Sequence, residues 1–248
     1  MLPKKPNINF ILNTLLLFSI TMGVKAQYPT LKERLINLPN FDKKTIHYGY
    51  FIGINQYDFK FEYVNTYYKD FQYKDIQTDI NNGFTVGLIG DLRINDYLNL
   101  RFEPGLFYNH RDLIYPEFPE FNRDTDQIRE IKSTYIHLPL LLKISTLRIN
   151  NFKPFLLVGF SSDFNLSSNF KNTDDNASGV FRTTPQNYNY ELGVGFDFYL
   201  FYFKFSPSLR GLFSIENELI PDNDPNSPWT GKIVNLFSRG VALIITFE

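Results

Sequence analysis

The sequence predicts an all-β fold, a closed antiparallel transmembrane β-barrel of about eight strands. Three observations lead there. Apolar and polar residues alternate with a period of two wherever turn residues are absent, and helical periodicity is weak outside Leu31 to Leu38. The connections alternate between short and long. The polar faces of the alternating segments are rich in glycine, whereas the opposite faces are rich in Phe, Tyr, Leu, Ile and Val.

The chain opens with Lys4 and Lys5 ahead of an apolar stretch from Ile8 to Ile20, and Val24-Lys25-Ala26 offers a small-residue cleavage site. Residues 1–26 are therefore expected to be a signal peptide, residues 27–46 a periplasmic segment, and residues 47–248 the barrel. The apolar stretch, broken by Asn13 and Thr14, is shorter than the ~20 residues a spanning helix needs. The chain has no cysteine, which excludes a lipid-modified N-terminus and disulfide stapling. With 25 Lys and Arg against 26 Asp and Glu the chain is near neutral, which argues against a nucleic-acid partner.

Strands are expected near Tyr48 to Phe59, Gly83 to Ile94, Tyr97 to Asn109, Thr134 to Thr146, Lys153 to Leu166, Tyr188 to Leu200, Phe201 to Ile215 and Leu236 to Phe247. The second, fourth and sixth links (Asn95-Asp96, Leu147 to Phe152, near Leu200) are tight, and the others are long and polar. Short periplasmic turns and long external loops generate that rhythm when the N-terminus is periplasmic. On the clearest strand, Tyr188, Tyr190, Leu192, Val194, Phe196 and Phe198 oppose Asn189, Glu191, Gly193, Gly195 and Asp197. A soluble barrel would turn the apolar face inward. Glycine suits a narrow, crowded interior better than a solvating exterior, so the polar face is placed inside. Tyr48, Tyr97, Tyr108, Tyr135, Tyr188, Phe198 and Phe203 fall near strand ends, as an interfacial girdle requires. Pro104, Pro139, Pro154 and Pro207 fall inside expected strands and must mark bulges, rims or ends.

With those registers Asp91, Arg93, Arg101, Glu103, Lys143, Glu191, Asp197, Lys204 and Arg210 share one lumen. A narrow lumen is filled by side chains, and an unpaired buried charge is costly, so a paired and plugged interior without an open pore is expected rather than an ion path. No cofactor is implied. His47, His110 and His137 are dispersed without metal-ligand spacing. His110-Arg111-Asp112 with Asp174 and Asp175 is the one catalytic-looking cluster, and solvated bystanders are the plainer account of it. Asp222 to Asn226 lacks the rest of a calcium loop and reads as a turn.

Two resemblances add to this. The C-terminal strand, with Arg239, Gly240, Leu243, Ile245 and Phe247, resembles the signal that the barrel-assembly machinery reads in outer-membrane barrels. Leu38 to Lys44, followed by His47 to Gly53 and by Tyr135 to Lys143, resembles the PorT (SprT) family; the last stretch is common to many barrels of the same phylum, and the first is more specific. The resemblance implies a non-catalytic outer-membrane component of type IX protein secretion, supporting export of sorting-domain cargo and, in gliding bacteria, gliding motility. It also implies outer-membrane lipid and other secretion proteins as partners, and it transfers no active-site residues. The competing readings are a generic structural or adhesive barrel, a surface hydrolase, and a soluble ligand-binding barrel. Gln27 to Lys44 either docks on a neighbour through Leu31, Leu35, Ile36 and Leu38 or packs under the barrel mouth. Tyr115, Phe118 and Phe121 either meet partners or pack on the rim.

Overall fold

The computed structural model describes residues 35–64, 75–117, 121 and 123–248. The expected signal peptide, Leu31 and Phe118 lie outside these residues. Ten strands follow in order: β1 (Ile46–Tyr63), β2 (Gln77–Ile80), β3 (Asn82–Arg93), β4 (Leu98–Phe102), β5 (Gly105–Ile114), β6 (Ile128–Ser145), β7 (Phe152–Asn165), β8 (Gln186–Tyr199), β9 (Lys204–Ser214) and β10 (Ile233–Phe247). β2 and β3 are one stave interrupted at Asn81, and β4 and β5 are one interrupted at Glu103 and Pro104, so the ten strands make eight staves. Every stave pairs antiparallel with its neighbours in sequence, and β1 pairs with both β3 and β10. The sheet is therefore a closed eight-stave ring.

Closure follows from the environment that the outer faces require. No helix among the described residues is long and apolar enough to span a bilayer. Strands can cross only if each backbone N–H and C=O finds a partner, and an open sheet edge in hydrocarbon would leave a row of them unpaired. Outward residues are apolar on all staves: Tyr48, Tyr50, Ile52 and Ile54 on β1, Leu192, Val194 and Phe196 on β8, Val241 and Leu243 on β10 are exposed, while Phe51, Asn55, Glu191 and Asp197 between them are buried. From Tyr188 to Phe198 the apolar band spans about 25 Å along the axis for a stave rising ~3.3 Å per residue at a tilt near 40°.

The prolines sit where the ladders can spare a donor. Pro139 lies inside β6 opposite Glu103, at the very gap that Pro104 opens between β4 and β5, so two missing N–H groups share one defect. The Pro104 carbonyl still accepts from the Leu88 N–H at 2.9 Å. Around Pro207 the β8–β9 ladder skips from Gly195–Ser208 to Phe198–Phe205. Pro154 stands near the start of β7 and its carbonyl accepts from Thr146 N–H at 3.2 Å. Pro139 and Pro207 thus interrupt ladders within strands rather than marking bulges or ends.

Two details depart from the sequence expectation. Tyr135 is not a girdle residue: outward positions on β6 are even-numbered, so Tyr135 points inward, is 2% exposed and stacks on Tyr57 with centroids 6.2 Å apart. Leu200 to Phe203 form the turn after β8 rather than the start of β9, with Leu200 N–H donating to Phe203 O, and Tyr202 is 93% exposed.

Closure makes a direct prediction. The chain has no cysteine, so Ile52→Cys with Ile245→Cys, partners across the β1–β10 seam, should form a disulfide on oxidation. It should be seen as a shift in the electrophoretic mobility of the unfolded chain. An unclosed sheet would leave both thiols free to alkylation.

Candidate functional site: the plugged lumen and its two mouths

Inward positions on neighbouring staves stack into a network. Arg101 on β4 lies between three carboxylates: its Nε is 3.0 Å from Asp91 and 3.4 Å from Glu103, and its Nη2 is 2.7 Å from Glu248. Glu248 also pairs with Lys204 at 2.7 Å, Glu103 with Arg210 at 2.5 Å, and Lys143 with Asp197 at 2.6 Å. Four cations, Arg101, Lys143, Lys204 and Arg210, thus face four carboxylates, Asp91, Glu103, Asp197 and Glu248, and all eight side chains are no more than 4% exposed. Such burial is tolerable only because each charge meets an opposite one at hydrogen-bond range. Lys143 also lies 4.2 Å from the centre of the Phe155 ring.

Farther from the short turns, His137 bridges Asp163 (2.5 Å from Nδ1) and Glu191 (3.0 Å from Nε2). Asn189 donates to Asp163 at 2.8 Å. Arg111 lies 3.5 Å over the Phe59 ring and donates to Ser238 Oγ at 3.3 Å. The side with the long loops is closed by Phe59, Leu113, Tyr115, Phe181, Leu219 and Leu236, with Phe121 packed against them and stacked on Trp229. Glu218 in the β9–β10 loop accepts from Ser238 N–H at 3.0 Å and from its hydroxyl at 2.8 Å. Burial holds its carboxyl pKa above the usual range, against the lowering effect of Arg111.

Of the sequence-derived lumen residues, Asp91, Arg101, Glu103, Lys143, Asp197, Lys204 and Arg210 meet in one network, and Glu191 joins His137 instead. Arg93 does not join: it shares their face but stands at the last residue of β3, where it pairs with Asp96 of the turn. His137, Asp163, Lys153 and Glu248 were missed. Each lies an even number of residues from a lumen charge or on the inward parity of its strand, so the same alternation applied along the whole of each strand would have found them.

The mouth with the short turns holds a cavity of about 120 Å³ lined by Asp42, His47, Lys143, Lys153, Asp197 and Tyr199 among others. Residues 37–44 cross it as a strap. Arg148, from the β6–β7 turn, donates to the carbonyls of Asn37 and Leu38 and lies 3.4 Å from Asp42. Tyr199 donates to Asp42 at 2.6 Å, Asn37 N–H donates to Asn151 Oδ1 at 2.9 Å, and the Asn37 amide donates to Tyr199 O. Phe41 stacks on His47 at 4.4 Å. Leu38 takes a left-handed φ of 48°, a strained conformation held by those contacts. Of the two roles open to this segment, residues 37–44 pack under the mouth, while Ile36 remains exposed.

At the C-terminal strand, Leu243 is exposed and faces outward, as the parity of Ile245 and Phe247 does. Arg239 pairs with Asp58 across the seam at 2.5 Å. Gly240 faces the Tyr57 ring so closely that a Cβ there would stand 2.9 Å from Tyr57 Cε1. The cluster His110-Arg111-Asp112 is divided by the alternation: Arg111 points inward, and His110 and Asp112 point outward beside Glu130. Asp175 is engaged by Arg182 at 2.6 Å. Asp222 is a buried loop staple that accepts from Ser227 Oγ at 2.5 Å and Asn176 Nδ2 at 3.0 Å.

Residues 26–219 match the model of the outer membrane protein beta-barrel domain family. The chain belongs to this family. As a member of the outer membrane protein beta-barrel domain family it is an outer-membrane barrel. No curated protein matches the chain. Among solved structures it is similar to the outer membrane protein OprG from Pseudomonas aeruginosa, at 14% identity over 82% of this chain and 92% of that one with a TM-score of 0.45. It is similar also to Neisserial surface protein A, at 12% identity over 79% and 95% with a TM-score of 0.41. The attachment invasion locus protein Ail of Yersinia pestis matches at 13% identity over 81% and 96% with a TM-score of 0.35.

The network predicts asymmetric mutant behaviour. Lys143→Met alone strands Asp197 in the lumen and should destabilise the barrel by about 3–5 kcal/mol in urea unfolding from detergent micelles. Lys143→Met with Asp197→Leu should recover most of that loss. Equal stability of the single and double variants would show that the pair is not buried as described.

Proposed function

We propose that this chain is a non-enzymatic accessory barrel of the type IX protein secretion apparatus, similar to PorT, supporting export of sorting-domain cargo and, in gliding bacteria, gliding motility. In this proposal residues 1–26 are a removable leader, and Arg239, Gly240, Leu243, Ile245 and Phe247 form the signal read by the barrel-assembly machinery. Outer-membrane lipid surrounds the barrel, and the partners are other secretion proteins. The observation that carries the reading is the position of Leu38 to Lys44. The stretch of the PorT resemblance that is more specific than a general barrel motif is also the strap held across the periplasmic mouth by Arg148 and Tyr199. A segment fixed there is available to periplasmic or membrane-bound partners without any passage through the lumen.

Two experiments test this. Deleting the gene should leave sorting-domain cargo inside the cell, and the wild-type gene should restore its surface display. Asp42→Ala with Arg148→Ala removes the Arg148 and Asp42 contacts and so loosens the strap while leaving the ladders intact. It should assemble to wild-type levels in the outer membrane yet export several-fold less cargo. Normal export from the deletion strain makes the chain a generic structural barrel. Normal export from the assembled strap variant removes the strap from the mechanism.

A further inference from the structure

On the outer wall beyond the apolar band, the ladder lines up like charges. Asp79 on β2 stands directly opposite Asp112 on β5, and Asp112 directly opposite Glu130 on β6. Directly paired residues share a face, so three carboxylates form a row across three adjacent staves, an arrangement that is destabilising without a cation. His110, two residues along β5 on the same face and opposite Lys132, brings its imidazole to the row. Its Nε2 lies 3.2 Å from Asp112 Oδ1 and 3.1 Å from Glu130 Oε1. Neither approach has hydrogen-bond geometry, so Nε2 and Asp112 Oδ1 are enclosed polar atoms with no hydrogen-bond partner among the described residues.

We propose that His110, Asp112 and Glu130 bind a divalent transition-metal ion, Zn²⁺ by preference, on the extracellular face of the barrel wall. The one nitrogen and two carboxylate oxygens lie within 4.8 Å of one another. Ligand atoms about 2.0–2.1 Å from a tetrahedral zinc stand about 3.3 Å apart, close to both His110 distances. The backbone that carries them is a continuous antiparallel ladder, so the three donors are held without a flexible loop. The imidazole favours zinc over magnesium or calcium, which take oxygen donors. The fourth position faces solvent. Lys132, 2.7 Å from Glu130 Oε1, is the internal cation that competes for the same oxygen, and its departure from Glu130 accompanies metal entry.

Calorimetric titration of the chelator-treated full-length barrel in detergent with Zn²⁺ tests the site, each variant being checked for folding by its heat-modifiable electrophoretic mobility. Wild type should bind one equivalent. His110→Ala and Asp112→Asn should each weaken binding at least about tenfold, the scale on which even outer-shell changes act. Lys132→Ala should bind several-fold more tightly, because the competing ammonium is gone, and Asp174→Asn, an exposed acid in another loop, should bind as wild type does. No saturable binding by wild type, or His110→Ala and Asp112→Asn binding as tightly as wild type, overturns the proposal. Unchanged affinity in Lys132→Ala also counts against it, because the row would then be a plain ion-pair cluster.

Discussion

In a hydrocarbon layer a backbone amide has no water to fall back on, and the whole structure depends on that fact. It forces the β1–β10 seam to be paired from Tyr50–Phe247 to Glu62–Asn235, and it fixes which prolines are tolerable. Pro104 and Pro139 can coexist because they spoil the same place in the ring, leaving the flanking ladders complete on either side.

Closing eight staves fixes the diameter, and the diameter fixes the interior. Eight strands leave room only for side chains, so bulky inward residues need small ones facing them: Gly87 and Gly105 accommodate Phe51, whose Cζ would lie 2.5 and 2.6 Å from a Cβ at those positions. The charges are subject to the same crowding. Arg101 alone touches Asp91, Glu103 and Glu248, so its cluster is neutral only when Lys204 and Arg210 are counted with it, while Lys143 and Asp197 balance each other as a pair.

Most of the barrel was legible because one rule, alternation, governs both lipid and lumen faces within the band. It failed where the bilayer stops imposing it. The outer ends of β1 and β6 and the whole of β2 carry polar residues outward, as at Lys60, Glu62, Asp79, Glu130 and Lys132. There a strand facing water on one side has no apolar signature to separate it from a loop. Tyr135 was misplaced for a different reason: tyrosine near a strand end is ambiguous between girdle and lumen until parity is applied, and Tyr57 supplies the inward partner. Glu248 and His137 were invisible as charges of interest because one is the last residue and the other sits in an apolar run, although both obey the inward parity. The strap over the mouth follows no periodicity, being fixed by the side chains of Arg148 and Tyr199, which are distant in sequence.

The staves are not equal in height. β1 and β6 run for 18 residues each, whereas β9 runs for 11, and the β6–β7 ladder ends at Tyr135–Asn165, seven residues short of the outer end of β6 at Ile128. The wall therefore rises above the lipid on one side only, and the row of Asp79, Asp112 and Glu130 lies on that raised part. Among the described residues the lumen is filled by paired charges and closed at the outer end by Phe59, Leu113 and their neighbours, between this wall and the strap at the other mouth. In the proposed secretion role the barrel is accordingly a bracket that holds a periplasmic strap at a defined depth in the outer membrane, and the conduit for cargo belongs to another protein.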